Sequence, residues 1–189
     1  GSCTDNSYTI TKTWTATDDC GNAAEAVQVI TVQDITDPIL SNIPSDLTIE
    51  CDEVPLAATP TASDNCDLDI TITMVQDSVS TAQNCENAYI LTRTWTASDN
   101  CGNTDTQTQT ITVFDNTAPE FANIPAAVTL NCEDILPTDE PTASDNCDAT
   151  VTIVLDTQST QTTDGSCTDN SYTITKTWTA TDDCGNAAE

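Results

Sequence analysis

Polar and apolar residues alternate strictly along much of the chain. In Tyr8-Thr-Ile-Thr-Lys-Thr-Trp-Thr-Ala16, the residues Tyr8, Ile10, Trp14 and Ala16 fall on one face and threonines hold the other. Asp69-Ile-Thr-Ile-Thr-Met74, Thr108-Gln-Thr-Ile-Thr-Val113 and Thr150-Val-Thr-Ile-Val-Leu155 repeat the rhythm. A period of two with β-branched residues predicts half-buried antiparallel strands, and no segment carries a helical period. Lys12, Arg93 and Lys176 interrupt the apolar face at one repeated position. Each is expected to lay its stem over the neighbouring Trp and keep its charge at the sheet edge.

The strands belong to a nested repeat. Gly1–Glu25 recurs unchanged as Gly165–Glu189, an offset of 164 residues, so the chain reads as one period plus an overlap onto a tandem array. Inside the period a weaker repeat appears at offsets of 81 to 83. Asp34-Ile-Thr-Asp-Pro38 answers to Asp115-Asn-Thr-Ala-Pro119, and Leu47-Thr-Ile-Glu-Cys51 to Val128-Thr-Leu-Asn-Cys132. Pro60–Asp67 is identical to Pro141–Asp148, and Thr92–Asn103 matches Thr175–Asn186 and its copy at 11–22. These correspondences divide the chain into residues 1–33, the C-terminal part of a preceding domain; 34–114, a complete domain; and 115–189, a domain expected to lack its last strand. Short strands punctuated by Pro and Asn/Asp clusters predict an all-β fold of tandem immunoglobulin-like β-sandwiches.

With aromatics at 4% of the chain, such small domains have thin cores. Cysteine is one supplement. Each full domain carries four, Cys51, Cys66, Cys85 and Cys101, then Cys132, Cys147, Cys167 and Cys184, with no histidine and no Cys-x-x-Cys. That favours disulfides over zinc and a compartment outside the reducing cytosol. If strands alternate up and down, Cys51 and Cys85 share the far pole and Cys66 and Cys101 the near one. This favours Cys51–Cys85 with Cys66–Cys101, and Cys132–Cys167 with Cys147–Cys184, leaving Cys3 and Cys20 to partners in the preceding repeat. The rival is nearest-neighbour pairing, Cys51–Cys66, Cys85–Cys101 and Cys3–Cys20.

Charge is the other supplement. Thirty-one acids face three bases, a formal charge of −28. Most of the acids, such as Asp77, Asp139, Glu140 and Asp156, read as a solvated coat. A subset gathers where the domain linker meets two loops: Asp34 and Asp37; Asp64, Asn65 and Asp67; Asp99, Asn100 and Asn103. The second domain repeats it with Asp115 and Asn116; Asp145, Asn146 and Asp148; Asp182, Asp183 and Asn186. Asp18, Asp19 and Asn22 form the corresponding loop of the leading fragment. Carboxylates this close repel unless a cation intervenes, and a hard cation with six to eight oxygen ligands, calcium, suits the set. Tight turns, which Asp, Asn and Gly also favour, are the competing account.

The Asp-x-Thr-x-Pro linker, Ser-Asp-Asn-Cys and Thr-Trp-Thr-Ala-x-Asp-x-Cys-Gly-Asn together resemble the hyalin-repeat (HYR) family, most closely the HYR-like tandem domains of large Bacteroidetes surface proteins. The resemblance implies an immunoglobulin-like fold, export to the cell surface and a role in adhesion filaments, without naming a ligand.

Without histidine, a phosphate loop or an activated nucleophile, no enzymatic chemistry is expected. The negative charge excludes nucleic acid and anionic membrane as direct partners except through cations, and no direct membrane insertion is expected. Two functions fit: a structural repeat of an extracellular calcium-stabilised fibre or stalk, whose partners are neighbouring copies of the same repeat, and a glycan- or surface-binding adhesion module that acts through threonine rows such as Thr9, Thr11, Thr13, Thr15 and Thr17.

Overall fold

A computed structural model describes residues 3–131, 133–165 and 169–189, except the side chain of Thr4. The chain is all-β. Helical turns among the described residues are short, at Cys3–Asn6 and Cys51–Glu53. The strands begin with β1 (Tyr8–Thr17), β2 (Ala23–Val32), β3 (Ile39–Ser41), β4 (Leu47–Glu50), β5 (Thr61–Ser63), β6 (Thr71–Ser80), β7 (Tyr89–Ser98) and β8 (Thr104–Phe114); β1 and residues 152–159, expected to be half-buried, are exposed on both faces. They continue as β9 (Glu120–Ala122), β10 (Thr142–Ser144), β11 (Thr152–Ser159), β12 (Ile174–Thr181) and β13 (Ala187–Ala188). The sheets are β1-β2, β3-β5, β4-β8-β7-β6, β9-β10 and β11-β12-β13.

Contacts gather the chain into two compact groups, Gly1–Asp46 with Leu56–Asp77 and Thr92–Thr110, and Leu47–Pro55 with Ser78–Leu91 and Ile111–Glu189. The repeat segment 34–114 therefore contributes to both. In the first group Leu40, Trp95 and Ala97 form a buried cluster against Ile43, Ala58, Ala62, Ile70 and Ile72. In the second, Leu91, Ile111 and Val113 pack with Leu47, Ile49, Val54 and Tyr89, where β4 runs parallel to β8 from Leu47↔Ile111 to Glu50↔Phe114. Strand β7 buries every second residue from Leu91 to Ala97, as period two requires.

The repeated cation position departs from expectation. Arg93 is 4% exposed; its Nε donates to Gln76 Oε1 at 3.0 Å and its Nη1 to the Leu56 carbonyl at 3.4 Å. Its charge sits inside rather than at an edge, because β7 lies between β8 and β6. Lys176 likewise turns its Nζ onto the Pro137 carbonyl at 2.8 Å, and Lys12 lies on the exposed β1.

The disulfides correct the expected pairing. Cys3 is bonded to Cys101, Cys51 to Cys147 and Cys85 to Cys184, with Cα–Cα separations of 4.5, 5.9 and 4.4 Å. Cys51–Cys85, Cys66–Cys101 and Cys147–Cys184 are therefore not formed, nor are the nearest-neighbour pairs Cys51–Cys66, Cys85–Cys101 and Cys3–Cys20. Cys20 and Cys66 are free; Cys132 and Cys167, and with them the expected Cys132–Cys167 bond, lie outside the described residues. The pole argument assumed that each repeat closes its own bonds. Instead each bond takes one cysteine from each of two successive repeats.

Candidate functional site

Two loop types build the site, each closed by an aspartate that captures its own backbone. In the β7–β8 turn, Asp99 N–H donates to the Asn103 carbonyl at 3.2 Å, while Cys101 N–H and Asn103 N–H both donate to Asp99 Oδ1 at 2.8 Å. Gly102 has φ +92°, a left-handed conformation that side chains rarely adopt, so the turn requires glycine there. Asn103 Nδ2 then bridges Asp99 Oδ2 at 2.6 Å and the Asp34 carbonyl at 3.4 Å. The Asp182–Asn186 turn does the same: Asn186 Nδ2 reaches Asp182 Oδ2 at 2.8 Å and the Asp115 carbonyl at 3.3 Å.

The second loop type is Asp-Asn-Cys-Asp. Asp64 Oδ1 accepts from Cys66 N–H at 2.7 Å and Asp67 N–H at 2.9 Å. Asp145 Oδ1 accepts from Cys147 N–H at 2.8 Å and Asp148 N–H at 3.0 Å. Asp67 ties its loop to the β7–β8 turn, accepting Asn100 N–H at 2.8 Å, and Asp148 accepts Asp183 N–H at 2.6 Å. The tight-turn account is thus correct for both oxygens of Asp99 and Asp182, and for one oxygen each of Asp64 and Asp145.

It leaves out the other. Asp34 uses Oδ1 for Thr36 N–H at 3.3 Å, and Asp115 uses Oδ1 for Thr117 N–H at 3.2 Å. The Oδ2 atoms of Asp34, Asp64, Asp115 and Asp145 are buried without a hydrogen-bond partner. Asp34 and Asp115 are only 6% and 9% exposed. Carboxylate oxygens of Asp115, Asp145 and Asp182 lie within 4.8 Å of one another, and in the other group an oxygen each of Asp34 and Asp64 lies that close to Cys66 Sγ and to each other. Buried anionic oxygens that face one another without donors are costly, and an oxygen-seeking cation answers that cost directly. The three carboxylates of Asp115, Asp145 and Asp182 are an all-oxygen donor set of the kind calcium takes, whereas the Asp34–Asp64 group also carries the Cys66 thiol.

The two groups differ in charge balance. Burial, then the negative charges of Asp145, Asp182 and Asp148, push the Asp115 carboxyl above its ordinary value. Burial also pushes Asp148 up, aided by Asp183 and Asp182. Asp67 is held down by the backbone N–H groups of Asp69 and Asn100. At Asp99 burial acts upward, but the hydrogen bonds from Asn103, Cys101 and Gly102 together outweigh it and lower the pKa. Desolvation, with Asp34, Asp64 and Asp99 nearby, pushes the Cys66 thiol up.

Not every expected ligand converges. Asp37 is exposed and accepts Thr104 N–H at 3.2 Å, clamping a strand end. Asn65 and Asn146 are exposed, Asn100 contributes its backbone N–H, and Asn116 N–H donates to Glu50 Oε2 at 3.4 Å. Asp183 Oδ2 accepts Glu86 N–H at 3.0 Å. Asp18 and Asn22 form the same closed turn, with Asn22 Nδ2 on Asp18 Oδ2 at 2.8 Å, but Asp18, Asp19 and Asn22 are all exposed. Two contributors escaped the sequence reading. Ser7 Oγ accepts Asp34 N–H at 3.0 Å, and Glu50 lies within 4.8 Å of Asp115. A polar residue precedes the first cysteine of both repeats (Glu50, Asn131), which is the signal for Glu50; 27 residues separate Ser7 from Asp34 and leave none.

Residues 39–113 match the family model described as a HYR-like domain with 4 cysteines. The match covers the middle repeat and all four of its cysteines. No curated protein matches the chain. Among the described residues no helix is long and apolar enough to cross a membrane.

Proposed function

We propose that the chain is a structural repeat segment of an extracellular fibre or stalk of adhesion type, whose junctions are held by calcium as well as by disulfides. The observation that carries this reading is the pair of buried, unpartnered carboxylate oxygens where each linker aspartate, Asp34 or Asp115, meets the Asp-Asn-Cys loop. That the arrangement is built twice, on corresponding residues, favours a repeated structural role over a single reaction centre. The same point favours a non-catalytic role.

Calcium would be held by Asp34, Asp64 and the neighbouring Asp99 loop in one place, and by Asp115, Asp145 and Asp182 in the other. Its charge would neutralise oxygens that otherwise repel, and so fix the linker against the loops. The bonded cysteines support an oxidising compartment. At one hundred times Kd, one bound ion stabilises by about 2.7 kcal/mol, which raises the melting temperature of a chain this size by about 5–10 °C. The test is thermal unfolding with calcium titrated against EGTA at constant ionic strength. A saturable rise with calcium and none with matched magnesium supports the proposal; a melt indifferent to calcium removes it.

A further inference from the structure

We infer that the disulfides keep a fixed register between successive repeats, and that Cys20 and Cys66 are the receiving half of the same junction with a preceding copy of the repeat. The three bonds span 98, 96 and 99 residues. In each, the later cysteine sits in an aspartate-closed loop: Cys101 and Cys184 in Asp-x-Cys-Gly-Asn, Cys147 in Asp-Asn-Cys-Asp.

Cys20 and Cys66 occupy those same two loops. Gly1–Glu25 is identical to Gly165–Glu189, so Cys20 is the sequence copy of Cys184, which is bonded to Cys85. Cys66 lies in the octapeptide Pro60–Asp67 that recurs around Cys147, which is bonded to Cys51. The turns agree as well: Cys20 N–H donates to Asp18 Oδ1 at 2.9 Å as Cys101 N–H does to Asp99, and Cys66 N–H to Asp64 as Cys147 N–H does to Asp145. Identical loops carry a bond where the chain supplies a cysteine 96 to 99 residues upstream. Where it does not, they present a free, exposed thiol.

The repeat period supplies the missing partners at the same distance. With a period of 164, the copy of Cys85 in a preceding period lies 99 residues ahead of Cys20, and the copy of Cys132 lies 98 residues ahead of Cys66. Cys132 corresponds to Cys51 in the repeat, so the second pairing reproduces Cys51–Cys147. Each new bond joins two thiol sulfurs and releases two protons and two electrons. These pass to a disulfide-bonded oxidant, which leaves as a dithiol by thiol–disulfide exchange. Each repeat would then be stitched to its neighbour twice, once through each loop type. The inference rests on the array reading but not on calcium, so a calcium-indifferent melt leaves it standing.

The test is a chain extended by one 15N-labelled copy of residues 1–164 joined ahead of the unlabelled 189-residue chain, oxidised with a glutathione redox pair, alkylated and mapped without reduction. The expected products are unlabelled Cys20 bonded to labelled Cys85 and unlabelled Cys66 bonded to labelled Cys132. Cys85→Ser and Cys132→Ser in the labelled copy should return Cys20 and Cys66 to the alkylated fraction while Cys3–Cys101 persists. Alkylated unlabelled Cys20 and Cys66 in the unsubstituted extended chain, a Cys20–Cys66 bond, or bonds between separate chains would each overturn the inference.

Discussion

Asn186 holds the main-chain carbonyl of Asp115 through its Nδ2 at 3.3 Å, a tie across 71 residues, while the same nitrogen donates to Asp182 Oδ2 at 2.8 Å. Asn103 and Asp34 repeat the relationship at 3.4 Å. One amide thus fixes both the linker backbone and the turn that faces it.

Removing that amide should loosen the linker. Asn186→Ala loses hydrogen bonds to a carboxylate and a carbonyl, and we expect a destabilisation of about 2 kcal/mol and a melting temperature lower by about 4–8 °C. Calcium affinity should fall with it, because Asp182 is no longer held. Thermal melts in EGTA and in calcium measure both effects.

Acid should act in two opposite stages in the absence of calcium. Asp115 and Asp148 have raised folded pKa values, so the stability they withhold at neutral pH returns as pH falls through those values. Asp67 and Asp99 have lowered values, so their contribution is present above the ordinary carboxylate pKa and is lost as pH falls below it toward their folded values. A melting temperature followed from pH 7 downward in EGTA should rise and then fall. Asp115→Asn should flatten the rise, raising the melt at pH 7 in EGTA and lowering it in calcium.

The same motif should tolerate the same substitution differently in its two copies. Trp14 and Trp95 stand at matching positions of Thr-Trp-Thr-Ala, yet Trp95 is 1% exposed and Trp14 53%. Trp95→Ala opens the cluster with Leu40 and Ala97 and should cost about 3–5 kcal/mol. Trp14→Ala should cost about 0.5 kcal/mol, as surface changes do. Urea unfolding of the two variants decides it.

Bond mapping of the 189-residue chain should recover Cys3–Cys101, Cys51–Cys147 and Cys85–Cys184. Each closes a loop of nearly one hundred residues, worth about 4.7 kcal/mol on the loop-entropy model. Cys85→Ser with Cys184→Ser should therefore lower the melt far more than Cys20→Ser, which removes a free thiol. Equal effects would contradict the pairing.

Local pattern carried the strands well. Alternation located β1, β6, β8 and β11, and the repeat of Thr-Trp-Thr-Ala carried it to β7 and β12, because side chains on a pleated strand answer only to their own parity. It could not tell Trp14 from Trp95, since burial depends on what covers a sheet and both strands read alike. Gln109 was missed for a related reason: period two places it with Ile111 and Val113, and it is 1% exposed with Nε2 on the Ser45 carbonyl at 2.9 Å. Arg93 was read as an edge residue because its acceptors, Gln76 and the Leu56 carbonyl, are 17 and 37 residues away.

The aspartates of the site were legible because the motif repeats. Which oxygen each aspartate spends on its own turn was not, so Asp37 and Asn65 looked equivalent to Asp34 and Asp64. The disulfides were the largest departure. Strand direction places a cysteine at a pole but is silent on which repeat supplies its partner.

Calcium counting tests the central claim most directly. Isothermal titration of the calcium-stripped 189-residue chain should find two ions bound, one lost in Asp64→Asn and the other in Asp145→Asn, with Asp18→Asn keeping both because its loop is exposed. No saturable binding, or a stoichiometry that neither substitution changes, would contradict the claim that the buried Oδ2 atoms of Asp34, Asp64, Asp115 and Asp145 exist to hold the ion.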